Sequence, residues 1–471
     1  SYNFNSSLSN LIKIRYRENS GINNTFDQLY FYDGFGNLIQ TKYESDKGNQ
    51  SIINLYYDSD GRLDIQSNPY FVVSSENYIS PSSNINFTNY TYDPLDRVVR
   101  QINPDKTYKI INYTHWNISV IDENNHLKDY QLDAYNQIIS INEHDLSTTY
   151  ATNYSYDASG SLLLIRDSKG NLFNYTYDKL GRKITSNDPD LGIWNYTYDD
   201  SSNLILQKDN KNNTIIMVYD NISRIINKNS SSQNTTYVYD LNQNGTLTQI
   251  KTNLLITNYT YDNRLREIRE EKILDGFKFT LNYTYDSMDR LTSKTLPDGK
   301  IISFFYGNNS LINSVGGLVN ISYNAEGDII QRIYANGLLT NYSYNIANFR
   351  LNQISTSSSQ NLIYSYDSVG NVKIINDTIN LFYYSMGYDH LDRLISSNIT
   401  SSSDQTNTSY IYDSIGNMLQ SYSNKENLSF YYGSFPKHLP TLVIDTLFSS
   451  NLTPNDTYKF YIKNSSNSNV A

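Results

Sequence analysis

Tyr175-Thr176-Tyr177-Asp178-Lys179-Leu180-Gly181-Arg182 is followed by Tyr196-Thr197-Tyr198-Asp199-Asp200-Ser201-Ser202-Asn203, one copy of the same pattern about 21 residues further on. The signature recurs as Tyr154-Ser-Tyr156-Asp157, Tyr237-Val-Tyr239-Asp240, Tyr259-Thr-Tyr261-Asp262 and Tyr283-Thr-Tyr285-Asp286. Further copies stand at Tyr30 to Asp33, Tyr90 to Asp93, Tyr364-Ser-Tyr366-Asp367 and Tyr410-Ile-Tyr412-Asp413. Self-similarity at a fixed short period marks a repeat architecture, so the fold is decided by what one unit does.

Tyr-x-Tyr is period-two alternation in strong strand formers and places both rings on one face of a strand. Asp then opens a turn, its carboxylate able to accept nearby backbone N–H groups. Three residues later a position demands left-handed φ. Gly36, Gly61, Gly160, Gly181, Gly327, Gly370 and Gly416 fill it, and elsewhere Asp96, Asp289, Asp392, Asn136 or Asn348 do, the non-glycine types that best tolerate that region. Two residues beyond, an apolar side chain returns, as at Leu38, Leu162, Leu291, Val372 and Met418. It begins a second strand. Second turns follow at Asp167 to Gly170, Asn187 to Gly192 and Leu296 to Gly299.

Two strands per unit make an all-β chain, a long meandering antiparallel sheet that has to curl because flat sheets of so many strands are unusual. The repeats run from 29 to 433. Residues 1–28 and 434–471 fit the pattern poorly and are candidate strands for pairing with a neighbouring subunit, since sheet edges template such pairing. The stretch Gln66 to Asn89 reads as an insertion, an outward loop available for adhesion. Between 308 and 347 the register is least regular, with Gly307, Asn324 and Asn345 where Asp is expected.

Tyrosine stands at 46 in 471 residues, and 18% of residues are charged, with a net charge of -10. No basic stripe is present, which argues against nucleic acid or an anionic membrane as partner. No run approaches the roughly 20 apolar residues of a membrane helix. Cysteine is absent, which removes disulfides and thiolate metal sites together.

Asn-x-Ser/Thr sequons number roughly 27, about double the chance expectation. Their placement is regular. In Asn174-Tyr-Thr176-Tyr177, and likewise at Asn89, Asn153, Asn195, Asn258, Asn282 and Asn341, the Asn and the hydroxyl residue lie on the strand face opposite the two tyrosines. Others, among them Asn23, Asn221, Asn234, Asn376, Asn407, Asn451 and Asn464, fall in other strands, turns or the tails. With the rings facing in, these sequons face out, and the reading expects N-linked glycans on an exported, extracellular chain. No cofactor is expected.

His115, His126, His144, His390 and His438 show no metal-ligand spacing. Asp58-Ser-Asp60-Gly61-Arg-Leu-Asp64 looks slightly like a calcium loop, yet it aligns with the repeat's own turn and lacks the terminal Glu of an EF-hand. No pair of acids stands out as a catalytic dyad, and no glycine-rich phosphate loop is present. An enzyme is the weakest reading.

Tyr-x-Tyr-Asp-x-x-Gly-Arg-Leu is nearly complete at Tyr92 to Val98, Tyr285 to Leu291 and Tyr388 to Leu394. On these residues the chain resembles the Rhs/YD-repeat family of polymorphic toxins, toxin-complex cocoons and teneurins. The resemblance implies a strip of sheet spiralling into a hollow shell or tube, in some members around a cleaved toxin. The family's Asp-Pro-x-Gly cleavage segment has no counterpart, since Asp93-Pro94 and Asp188-Pro189 sit in turns, and no toxin-like domain follows the repeats. The expected function is a glycosylated structural subunit of an archaeal-type surface filament or sheath that self-associates head to tail. The alternatives are the shell segment of a toxin-encapsulating protein, and an adhesin that binds cell-surface glycans or proteins.

Overall fold

A computed structural model gives the structure of the protein and describes residues 2–3, 10–17, 25–425, 427–433, 437–445 and 458–460. Among the described residues forty-two strands belong to one sheet, and nearly all pair antiparallel with their neighbour in sequence. Among the described residues the only helical element is one 3₁₀ turn, Asp46–Gly48. The two-strands-per-repeat expectation holds in detail. Leu162–Arg166 pairs with Leu172–Tyr177, which pairs with Lys183–Asp188, which pairs with Gly192–Tyr198.

The chain divides into two compact units, each made of two separate runs of sequence. One comprises Ser1–Lys109 and Thr235–Asn361, the other Ile110–Asn234 and Leu362–Ala471. Inside the second unit, turns of the two runs meet at a nearly constant separation in sequence. Asn124 donates to Asp367 at 3.0 Å, Lys169 to Asp413 at 2.5 Å, and the backbone N–H groups of Lys437 and His438 to Asp190 at 2.7 and 2.8 Å. Inside the first, Asn348 donates to Asp105 at 2.9 Å and Asn68 to the carbonyl of Ala347 at 2.8 Å.

Few apolar side chains are buried among the described residues. Four of the five buried apolar side chains, Phe26, Leu29, Phe31 and Ile52, lie at one end of the first unit. There the stretch expected as an outward loop behaves otherwise. Tyr70–Val73 pairs with Asn49 to Ile52, and the following residues fold back over the sheet. Lys42 donates to the carbonyls of Ser75 and Asn77, Gln40 exchanges hydrogen bonds with Ile79, and Asn54 donates to the Ile79 carbonyl at 3.2 Å. Burial pushes the Lys42 ammonium down to about 8. Two of its donors meet carbonyls and none meets a carboxylate.

Strands in the terminal segments also find partners within the chain. Asn10–Arg17 pairs along its length with Thr25–Tyr32, and Pro440–Asp445 pairs with Asn427–Tyr432 on one side and Tyr458–Phe460 on the other.

Candidate functional site: the repeat turn and the sequon face

One turn built from the residues upward shows how most of the others are made. Asp178 N–H donates to the Arg182 carbonyl at 2.9 Å, and Gly181 N–H to the Asp178 carbonyl at 3.0 Å. The Asp178 carboxylate accepts from Leu180 N–H and Arg182 N–H through one oxygen and from Arg182 Nε through the other, at 2.9, 3.0 and 2.6 Å. One carboxylate therefore satisfies two backbone donors of its own turn. Burial alone would raise the Asp178 carboxyl, and the Arg182 bonds outweigh it and hold it below the usual range. Asp58, Asp93, Asp220 and Asp262 are lowered by the same contacts from Arg62, Arg97, Arg224 and Arg266. Asp58 is thus used up by Asp60 N–H, Arg62 N–H and the Arg62 guanidinium, as a repeat turn requires.

Positive φ falls where the spacing expects it, at Gly160 (87°), Gly181 (76°), Gly370 (114°), Gly416 (88°), Asn136 (62°) and Asp392 (59°). Asn348 is the exception. The left-handed residue is Phe349 at 54°, because this turn is one residue longer and closes from Asn345 N–H to the Arg350 carbonyl. Ser202, Ser223 and Leu265 also adopt positive φ, at 68°, 63° and 63°. The position is therefore set by the turn even where the residue type opposes it.

A bulge recurs after every Tyr-x-Tyr. Thr176 pairs with Thr185, but Tyr177 pairs with Lys183, so Ile184 is the extra residue. The ladder is disrupted there, and the next repeat repairs it: the Tyr198 hydroxyl donates to the Lys183 carbonyl at 2.9 Å. Tyr156 does the same to Ile138, Tyr177 to Leu162, Tyr285 to Glu267, Tyr388 to Val372 and Tyr412 to Leu394, all at 2.7 to 2.9 Å. This is why the second aromatic is tyrosine and not phenylalanine. In several repeats an arginine lies over the second ring. Arg182 sits over Tyr198 at 4.9 Å, Arg266 over Tyr285 at 5.0 Å and Arg393 over Tyr412 at 5.3 Å. The turn's fifth residue thus binds its own Asp and the following repeat's ring at once. Burial, with Glu270 and Glu267 nearby, pushes Tyr283 up to about 12, and Tyr154, Tyr175 and Tyr364 are raised by burial too.

On the opposite face, Thr91, Ser155, Thr176, Thr197, Thr284 and Ser343 are exposed, while their flanking tyrosines are half-buried. Among the sequon asparagines, Asn153, Asn195, Asn221, Asn234, Asn282, Asn341 and Asn407 are exposed, and Asn89, Asn174, Asn258 and Asn376 are half-buried. Asn258 is also engaged, donating to Glu271 at 3.4 Å and accepting from Gln249 at 2.8 Å. Asn23, Asn451 and Asn464 lie outside the described residues.

Histidines with no ligand spacing in sequence come together in the second unit. The rings of His126 and His390 are 5.0 Å apart, and Asp122, His126 and Asp392 converge on one point. Their separation along the chain hides this from any local motif.

Residues 165–320 match the family model of the teneurin YD-shell. Among curated proteins, none matches at a significant level. A solved TcdB2-TccC3 structure lacking its hypervariable C-terminal region matches with a TM-score of 0.81 at 18% identity, over 92% of this chain and 27% of that one. TcdB2-TccC3 itself gives 0.81 at 17% identity over 93% and 28%. A Tc holotoxin pore of Photorhabdus luminescens gives 0.76 at 16% identity over 94% and 29%. The chain therefore spans under a third of the length of the structures whose fold it shares.

Proposed function

We propose, for this YD-repeat chain, the role of a non-catalytic wall: a segment of an extracellular YD-repeat shell. The observation that supports it most is that nearly the whole chain follows the fold of the TcdB2-TccC3 structures while spanning 27% of their length. The repeat supplies what a wall needs. Successive units are tied together through the tyrosine hydroxyl and, where the turn carries arginine, through its guanidinium, so strands can be added without a deepening core.

A second reading is favoured by the sequons. Exposed Asn153, Asn195, Asn282, Asn341 and Asn407 share the face opposite the rings, which suits an N-glycosylated surface filament or sheath with self-association through terminal strands. Glycans there would add solubility to a face with few charges. Electron cryo-microscopy of the native material separates the two. Discrete closed particles enclosing density support the shell, whereas continuous filaments with sugar on Asn195 and Asn282 support the sheath. Catalytic turnover by the purified chain on a glycan or peptide substrate would contradict both.

A further inference from the structure

In most turns of the common pattern whose fifth residue is Arg or Asn, that residue donates to the free oxygen of the turn's Asp; Asn417 donates to the Lys437 carbonyl instead. Arg62, Arg182, Arg266 and Arg393 do so through Nε at 2.6 to 2.8 Å, and Asn171, Asn203 and Asn213 through Nδ2 at 2.6 to 2.9 Å. In the turn from Asp122 the fifth residue is His126, and the geometry changes. Oδ1 of Asp122 still accepts Asn124 N–H and His126 N–H, at 2.9 and 2.8 Å. His126 Nδ1, however, stands 3.5 Å from Asp122 Oδ2 and 3.5 Å from Asp392 Oδ1. It is one of three fully buried side-chain polar atoms that lack a hydrogen-bond partner among the described residues.

Elsewhere in the same unit two imidazole–carboxylate pairs close to hydrogen-bond distance, while His390 Nδ1 stays 3.8 Å from Asp145. His144 Nε2 is 2.8 Å from Asp129 and His438 Nδ1 is 2.5 Å from Asp190. His126 meets two carboxylates and closes on neither. A tetrahedral zinc-class ion, with bonds of roughly 2.0–2.2 Å to nitrogen and oxygen, separates its ligand atoms by about 3.3–3.5 Å. The two nitrogen-to-oxygen separations at His126 match that spacing, and the three ligand atoms lie within 4.8 Å of one another.

We propose that Asp122, His126 and Asp392 form a binding site for a divalent transition-metal ion of the zinc class, joining the run 110–234 to the run 362–471. Two carboxylates and a neutral imidazole balance a dication with one position left for water. The ligands are held from behind, as the metal's outer shell requires. Asp122 is fixed by its turn, and Asp392 accepts Asn371 Nδ2 at 2.8 Å. Asn371 and Asn124 both donate to Asp367, at 2.9 and 3.0 Å, closing the ring between the two runs. The His390 ring covers His126.

The test is calorimetric titration of zinc chloride into the full chain after chelation, paired with thermal melts. One equivalent is expected to bind and raise the melting temperature, while magnesium at the same concentration does neither. His126→Asn is expected to weaken zinc at least about a hundredfold, beyond what loss of an outer partner costs. Asp392→Gly provides a variant that keeps its fold, because Asp392 occupies the left-handed position at φ 59° that glycine favours. It too is expected to lose zinc, whereas His144→Asn keeps it. Absence of zinc binding to the parent chain, or equal binding by Asp392→Gly, overturns the proposal. A melt insensitive to zinc and chelator overturns it as well.

Discussion

At the covered end of the first unit, Leu29 and Phe31 occupy the strand positions that Asn174 and Thr176 hold in the second unit. Leu29 is 0% and Phe31 2% exposed, whereas Thr176 is open to solvent. Residues 75–79 lie over the first pair, so the same face of the same repeat is apolar where something covers it and carries a sequon where nothing does. The difference shows two ways to hold one strand pattern together. The covered end uses burial, at roughly 25 cal/mol per Å² of apolar surface removed from water. The uncovered repeats use side chain to backbone bonds: the Asp turn, the tyrosine hydroxyl on the bulge carbonyl, and arginine over the ring.

Substitution at the matched pair separates the two modes most strongly. Phe31→Ala is expected to destabilise the covered end by about 3–5 kcal/mol, and Thr176→Ala to stay within about 0.5 kcal/mol, both read from denaturant midpoints. Equal losses at the two sites would erase the distinction. Next in size is the hydroxyl. Tyr177→Phe strands the Leu162 carbonyl and is expected to cost about 1–2 kcal/mol, with hydrogen-exchange protection lost first around residues 162–166. Leu265 goes the other way. At φ 63° it is held in a conformation that disfavours a branched side chain, so Leu265→Gly is expected to raise stability by about 1 kcal/mol.

The smallest effect per site is acid sensitivity. Asp58, Asp93, Asp220 and Asp262 have lowered carboxyls in the folded chain. The stability they contribute is fully present above the unfolded value of about 3.9 and is lost as pH falls through each lowered folded value. Repeat-region unfolding monitored by far-ultraviolet circular dichroism is therefore expected to be flat from neutral to about pH 4 and to weaken below it. Asp262→Asn should blunt that fall. A loss centred near pH 6 would point to histidine instead.

Much of this was legible from Tyr-x-Tyr-Asp-x-x-Gly, because strand alternation, an Asp-led turn and a left-handed position are all local properties. The two-strand unit and the sequon face follow from it directly. What stayed hidden was long-range or one residue out of phase. Asn345 to Arg350 is rich enough in Asn to mimic the shorter turn, so the left-handed residue was placed one position early, at Asn348 rather than Phe349. The insertion after Gln66 has no repeat register to say that it folds back. His126 and Asp392 meet across 266 residues, where neither period nor motif connects them. The bulge leaves no trace in a single unit, although the insistence on tyrosine at the second aromatic position is its indirect signal.

The central claim is that the face opposite the rings is one face throughout, open in the repeats and covered at the end. The chain has no cysteine, so single cysteines test this directly. Thr176→Cys and Thr197→Cys are expected to react with a maleimide in the native protein as fast as a free thiol, and Leu29→Cys and Phe31→Cys only on unfolding. Protection at Thr176 and Thr197, or rapid native labelling at Leu29 and Phe31, would contradict the account.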